Sequence, residues 1–251
     1  MTGYFLLIDA GNTRTKWAKV QSGQWHCGSP LMTQSVVSSA LDDAWGDLET
    51  PLGIALSNVA GQSVEADITS FIQRKWSTEL FIAKSQNHAY GVTSGYREAE
   101  RLGVDRWLAL IAARARSSRP TVIVDAGSAC TIDLLDQDGR HLGGYILPGL
   151  SVMGDALVNR TYQIQEAKLI NQCTLDPGVD TLEGMASGTL LALVGAVERV
   201  LYNLQNKGVS EPSILLTGGD AEKLATLLRY SSDMAPDLVL EGLWRCLGAH
   251  R

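Results

Sequence analysis

Cysteine is scarce and scattered in this chain. Its 251 residues include four, Cys27, Cys130, Cys173 and Cys246, and no two are spaced as a zinc or redox motif requires. That spacing argues against a disulfide scaffold and points to reduced thiols, buried or half-buried. A surplus of positive charge is also missing: 21 basic residues against 27 acidic ones leave a net charge of −6. A broad nucleic-acid footprint is therefore disfavoured. An anionic ligand would have to be met by local cations, helix N-termini or a metal. No basic-then-apolar leader follows Met1, and no apolar stretch reads as long enough to span a bilayer. The expectation is a cytoplasmic protein with neither membrane nor nucleic-acid partners. Two phosphate-binding signatures are absent as well: the Gly-Lys-Ser/Thr ending of a phosphate loop and a Gly-x-Gly-x-x-Gly run after a strand. What is present is 45% hydrophobic. This suffices for a sizeable interior and, at this length, suits two cores better than one.

One short phrase occurs twice. Phe5-Leu6-Leu7-Ile8-Asp9-Ala10-Gly11-Asn12-Thr13 is echoed by Val122-Ile123-Val124-Asp125-Ala126-Gly127-Ser128-Ala129. Each apolar run suits a strand buried on both faces. Each then exits through Asp-Ala-Gly, where the glycine allows a sharp turn and the aspartate stands at its mouth. Around both copies the context matches. Residues 5–10 and 14–20 read as strand, turn, strand, with a third strand over 24–32; 121–125, 130–135 and 141–147 read the same way. Helices are expected over 35–48, 64–76, 105–116, 151–159, 187–206, 221–229 and 238–247, and further strands over 53–59, 79–83 and 214–217. Ser117-Ser118-Arg119-Pro120 is the best linker. The organisation is thus an α/β duplication with lobes at 1–117 and 118–251. Two such turns, one per lobe, would wall a cleft suited to a nucleoside triphosphate.

Five motifs carry chemistry. In Asp9-Ala10-Gly11-Asn12-Thr13-Arg14-Thr15-Lys16, backbone N–H groups of a hairpin turn can face phosphate oxygens. Lys16 adds a point charge, and Asp9 is a candidate Mg²⁺ ligand, because Mg²⁺ takes few carboxylates beside phosphates. The run Asp125 to Asp133 supplies a second set of amides and hydroxyls, Ser128 among them; Asp133 reads equally well as a solvated strand-end carboxylate. Gly218-Gly219-Asp220 could seat a flat ring against backbone, or be a strand-to-helix turn with Asp220 as N-cap. In Gly103-Val104-Asp105-Arg106, Asp105 reads by default as an N-cap. A carboxylate there could also accept a proton from a substrate hydroxyl, with Arg106 binding an anionic group bidentately and Tyr96 on the preceding loop. Gly143 to Gly149 is a strand bracketed by glycines before a Pro-Gly turn, either a pocket-shaping loop or plain punctuation.

These motifs together, with Thr181 to Gly188 (Thr-x-x-x-Met-x-Ser-Gly), resemble type III pantothenate kinases in order and spacing from residue 5 to about 220. That family belongs to the actin-like ATPase superfamily, whose fold is two ribonuclease-H-like lobes related by duplication with a nucleotide cleft between them. The resemblance implies ATP-dependent phosphorylation of pantothenate, the first step of coenzyme A biosynthesis. By the same resemblance Asp9, Ala10, Gly11, Asn12, Thr13, Arg14, Thr15, Lys16 and Ser128 contact ATP. Tyr96, Gly103, Val104, Asp105, Arg106 and Thr181 contact pantothenate, and Asp105 accepts the proton. Asp125 would hold the monovalent cation, K⁺ or NH₄⁺, and Mg²⁺ would accompany ATP. A homodimer is also implied. Ser128 replaces the family's usual threonine and keeps the hydroxyl; Cys130 stands where a small or hydroxyl residue is usual. The alternatives are a transcriptional accessory factor of the same family, or a superfamily kinase for another small hydroxylated substrate.

Overall fold

The structure, a computed structural model, describes residues 3–36, 38–160, 173–209 and 211–249. The chain forms two compact units, one from residues 1–116 with 237–251 and the other from residues 117–236.

The first unit is built on a sheet ordered β3-β2-β1-β5-β6. Its strands are β1 (Phe5–Ala10), β2 (Arg14–Gln21), β3 (Gln24–Cys27), a two-residue β4 (Leu31–Met32) paired with β2, β5 (Gly53–Asn58) and β6 (Leu80–Ile82). β1 runs antiparallel to β2 and parallel to β5, so it is central and both its faces are covered. That position is why Leu6, Leu7 and Ile8 are consecutive, apolar and fully buried. On one face, Leu6, Ile8, Ile54 and Leu56 pack on α1 (Ser38–Trp45) and α2 (Gln62–Trp76) through Leu41, Trp45, Ile68, Phe71 and Ile72. Trp17, Trp45, Phe71 and Trp76 form a chain of edge-to-face rings with centroids 5.7–6.1 Å apart. Each such pair adds about 0.5–1.5 kcal/mol beyond burial. A small hairpin, β7 (His88–Ala89) and β8 (Val92–Thr93), precedes α3 (Val104–Arg116). α3 packs on β5 and closely against the C-terminal helix, Leu238–Ala249, which also covers β1 and β5.

The second unit repeats the plan. Its sheet is ordered β11-β10-β9-β12-β13, from β9 (Thr121–Ala126), β10 (Ala129–Leu135), β11 (His141–Pro148), β12 (Ser213–Thr217) and β13 (Asp233–Met234). Three antiparallel strands are again followed by two parallel additions. Val122, Val124, Ala126, Cys130 and Ile132 pack against Leu193, Val194, Val197 and Leu201 of a long helix and Leu224 of a short one. Three helices flank this sheet's strands in sequence: α4 (Leu150–Arg160), α5 (Thr181–Asn206) and α6 (Ala221–Leu227). α5 opens on a capping box: Asp180 Oδ1 accepts from Glu183 N at 2.9 Å while Glu183 Oε2 accepts from Val179 N at 2.9 Å. The fold class expected from the repeated phrase, α/β with two related halves, is the one found.

Several details differ from the expectation. Residues 237–251 belong to the first unit rather than to a lobe spanning 118–251. The third strand does not run unbroken over 24–32: Gly28 interrupts it, its amide donating to Trp17 O at 3.0 Å, and a side chain there would run into the Trp17 ring. α1 is shorter than 35–48, and α5 begins six residues before 187, at Thr181. α5 is also long and apolar enough to cross a membrane by length and composition, contrary to the reading that no stretch is; half of its apolar window is buried in the fold.

Candidate active site

The first Asp-Ala-Gly exit is the β1–β2 hairpin. Asp9 stands directly opposite Lys16, and Ala10 opposite Thr15. Cross-strand partners share a face, so carboxylate and ammonium emerge side by side. Gly11 N donates to Arg14 O at 3.1 Å, closing a turn over Gly11, Asn12 and Thr13. The last two of these and Arg14 are exposed. The turn is braced from behind. Thr33 Oγ1 donates to Gly11 O at 2.7 Å, Thr33 N donates to Thr13 O at 2.9 Å, and the hydroxyls of Thr33 and Thr15 meet at 3.1 Å. On its other side Asp9 is in register with the buried Ser57 of β5.

The second exit is the β9–β10 hairpin. Asp125 pairs with Thr131 on one side and with Thr217 on the other, so each aspartate has a hydroxyl residue beside it on the parallel strand. Here the turn is packed, not open. Gly149 N donates to Ser128 O at 2.9 Å, and Asp220 N donates to Ala126 O at 3.0 Å. Gly218 has φ +93°, and a Cβ on it would stand 2.5 Å from both Asp125 Oδ1 and Ala126 O. The glycine is therefore required by both conformation and space. Cys130, fully buried beneath, has its thiol pushed up to about 12, by burial first and then by the Asp125 and Asp220 carboxylates. Asp220 stands at the cap position of α6, but its side chain makes no cap hydrogen bond; it pairs with Lys223 at 3.0 Å. The Asp220 N-cap reading is thus not what the side chain does.

The third group lies at the start of α3. The helix begins at Val104, and Trp107 N donates to Gly103 O at 3.0 Å, so Gly103 occupies the cap position and Asp105 is the second helical residue. This corrects the N-cap reading of Asp105. The Asp105 carboxylate turns back, Oδ1 accepting from Arg106 N at 2.8 Å. A Cβ at Gly103 would stand 2.5 Å from that same oxygen. Arg106 is 7% exposed, a rare state for an arginine. Its Nη1 donates to Tyr96 Oη at 2.7 Å, and its guanidinium lies 5.5 Å from the centre of the Tyr96 ring. Ser94 Oγ accepts from Tyr96 N at 3.2 Å, and Ser85 Oγ donates to Leu102 O at 2.7 Å, fixing both ends of the loop.

Thr181, the first residue of α5, lines an apolar groove of about 690 Å³ with Pro148, Met153, Leu157, Met185 and Gly188. The bracketing motif Gly143–Gly149 is β11 and its exit, and Pro148 forms one wall of this groove. Asp133 is not solvated: it is 2% exposed and bonded to His141 Nε2 at 2.8 Å. Gly149, the end of the bracketed motif, walls the second turn, and Thr33, Ser57 and Thr217, which stand beside the two turns, are not among the motif residues. Ser57 and Thr217 carry a readable signal, a hydroxyl at the end of a short apolar strand; Thr33 has none, because its partners are distant in sequence.

The donors present fit the cations that the resemblance implies. Asp125 Oδ1 and Ala126 O flank the space at Gly218, a hard-oxygen environment made more negative by Asp220. Asp9 offers one half-buried carboxylate, and no group of three or more metal-ligating side chains occurs among the described residues. A lone carboxylate suits Mg²⁺, which takes most of its ligands from phosphates and water.

The model of one protein family, type III pantothenate kinase, matches residues 5–203. A type III pantothenate kinase of Nitrosococcus oceani is 33% identical over 246 residues, covering 96% of this chain and 92% of its own length. One from Nitrosomonas eutropha is 36% identical, covering 97% and 94%. Among solved structures, a Campylobacter jejuni protein described as a Baf family transcriptional activator aligns over 98% of both chains with a TM-score of 0.63 and 21% identity. A Sinorhizobium meliloti protein assigned as a 2-dehydro-3-deoxygalactonokinase gives 0.61 and 14%, covering 98% and 96%. At those identities the likeness is one of fold. The match over most of the chain, and relatives above 30% identity along nearly all of it, place this protein in the type III pantothenate kinase family.

Proposed function

We propose that this chain transfers the γ-phosphoryl group of ATP to the hydroxyl of pantothenate, the opening step of coenzyme A synthesis, and that the named residues divide the work as follows. The β1–β2 turn, Asp9 to Lys16, receives the phosphates: backbone amides and Lys16 meet their charge. Ser128 contributes a hydroxyl to ATP. Arg106, with Tyr96, binds the anionic end of pantothenate, aided by Gly103, Val104 and Thr181. Asp105 accepts the proton as the pantothenate oxygen attacks the γ-phosphorus. The bond from that phosphorus to the bridging oxygen breaks, and ADP leaves with the electron pair. Asp105 acts mainly by orienting the hydroxyl and taking its proton late in a loose transition state.

Asp9 would hold Mg²⁺, which would supply neutralisation of phosphate charge when bound. Asp125 would hold K⁺ or NH₄⁺. Two copies of the chain form the working dimer, in the cytoplasm; the exposed Tyr145, Ile146, Leu191 and Tyr202 of the second unit are apolar surface available for that contact. Family membership carries the reaction, and one observation carries the substrate assignment: a buried arginine held by a tyrosine beside a carboxylate at a helix start. The alternative of direct transcriptional action is disfavoured by the net charge of −6. A coupled assay of ADP release tests the proposal, with pantothenate, a panel of other small alcohols, and K⁺ or Na⁺ as the salt. Turnover with pantothenate alone, faster in K⁺, is the expected result. Preference for another alcohol would overturn the substrate assignment, and equal rates in Na⁺ would remove the cation role of Asp125.

A further inference from the structure

The last stretch of the chain carries no motif, yet it touches both elements that present the candidate substrate residues. We propose that the C-terminal helix, Leu238–Ala249, positions the pantothenate-binding residues, with Gly242 as the positioning residue. This rests on the functional reading above for the roles of Asp105, Arg106 and Tyr96, and on geometry alone for the placement.

Gly242 lies against the backbone of α3. A Cβ on it would stand 2.6 Å from the carbonyl carbon of Leu108 and 2.9 Å from its Cα. Leu108 is three residues past Asp105, one helical turn away. The obstacle is main chain, so no rotamer change can relieve it. Either α3 shifts or the C-terminal helix does. A salt bridge holds the far end of α3: Arg116 Nε and Nη2 reach Glu241 Oε2 and Oε1 at 2.9 and 2.5 Å. Such a two-pronged pair fixes orientation as well as distance.

The same helix grips the loop that carries Tyr96. Tyr90, in the β7–β8 turn, has φ +54°, a conformation that is uncommon outside glycine. Its hydroxyl stands beside the buried thiol of Cys246. Tyr96 follows six residues later and meets Arg106 at 2.7 Å. One helix therefore sets where Arg106 and Tyr96 stand relative to each other. Shifts of about 1 Å in such a constellation cost about 100-fold in rate.

The test compares Gly242→Ala with Leu243→Ala in the full chain. Leu243 is fully buried on the same helix, so its truncation opens a cavity and pushes nothing. Thermal midpoints, kinetics and hydrogen–deuterium exchange over residues 103–110 are measured for both. For Gly242→Ala, kcat/KM for pantothenate should fall about tenfold or more, with KM for ATP unchanged and exchange at the first turn of α3 accelerated. Leu243→Ala should lose stability while retaining the pantothenate constants and local protection at that turn. Equal losses in the two variants, or wild-type values for Gly242→Ala, overturn the proposal. Should Gly242→Ala not fold, Tyr90→Phe decides. A raised KM for pantothenate, absent in Cys246→Ser, which keeps a small polar group beside that hydroxyl, supports the proposal; an unchanged KM in Tyr90→Phe overturns it. Wild-type enzyme in the same assay tests the functional reading separately, and the exchange measurement reads the helix placement whether or not pantothenate is turned over.

Discussion

The two hairpins leave their sheets from matching positions and then diverge. Asp9 and Asp125 are each the fifth residue of a six-residue central strand, each beside a hydroxyl residue on the parallel neighbour. Beyond that point the first turn is exposed and cationic, with Arg14 and Lys16 on its outgoing strand and Thr33 bracing it from behind. The second is walled by Gly149 and Gly218, carries no basic side chain, and has Asp125 and Asp220 raising the pKa of the same buried thiol. A duplicated scaffold has thus been given opposite electrostatics. The open, positive turn suits phosphate, and the closed, negative one suits a cation.

That contrast can be broken or sharpened by experiment. The largest effect should come from outside both hairpins: Asp105→Asn is expected to lower kcat by about 10²–10⁴-fold while nucleotide binding, followed by calorimetry, stays near wild type. A variant with wild-type kcat would leave Asp105 a structural residue only. Next, Lys16→Ala should raise KM for ATP by about 10–100-fold, the worth of a charge-assisted hydrogen bond, with little change in K⁺ dependence. Asp125→Asn should show the reverse pattern, losing the difference between K⁺ and Na⁺ while KM for ATP moves less. If the two variants give the same profile, the division of labour fails. On stability, Gly218→Ala should cost about 1–3 kcal/mol, the range for a strained backbone position, and more than Gly11→Ala, whose Cβ would meet only Arg14 O at 3.1 Å; denaturant midpoints decide. Smallest is a chemical effect. Burial and the two carboxylates keep the Cys130 thiol protonated far above its usual 9, to about 12, and burial lifts that of Cys246 to about 11. Neither should react with a thiol reagent at pH 8, whereas the exposed Cys173 should. The same shifts mean that the unfolded chain releases these protons from about pH 9 and the folded one only near 11–12. Stability should therefore fall as pH rises across that window.

Much of this architecture was legible before any coordinates. The twin strands are legible because a central strand buried on both faces must be continuously apolar, and because both runs end in the same Asp-Ala-Gly. The linker at 117–120 was legible from its serines and proline, and the first unit's main segment does end at Arg116. Other features depended on partners distant in sequence. The helix at 238–247 is readable as a helix from its own pattern, but nothing in that pattern says which sheet it covers; Phe5 against Trp244, 5.1 Å between ring centres, is a contact across nearly the whole chain. The early start of α5 lies in Asp180 and Glu183, a pair of capping contacts outside the helix's apolar stretch. Asp105 stands at the expected helix end but two positions past the cap, because Gly103 does the capping with its main chain. Thr33, which braces the first turn, has no local signature.

The return of residues 237–251 to the first unit also bears on how the protein is made. Synthesis runs from the N-terminus, and domains generally fold as they emerge. Here the first domain leaves the ribosome without the helix that covers β1, β5 and α3, which follows only after residue 237. Throughout elongation of the intervening 120 residues that apolar face waits for its covering, so a chain cut before residue 238 would leave the first domain without its lid.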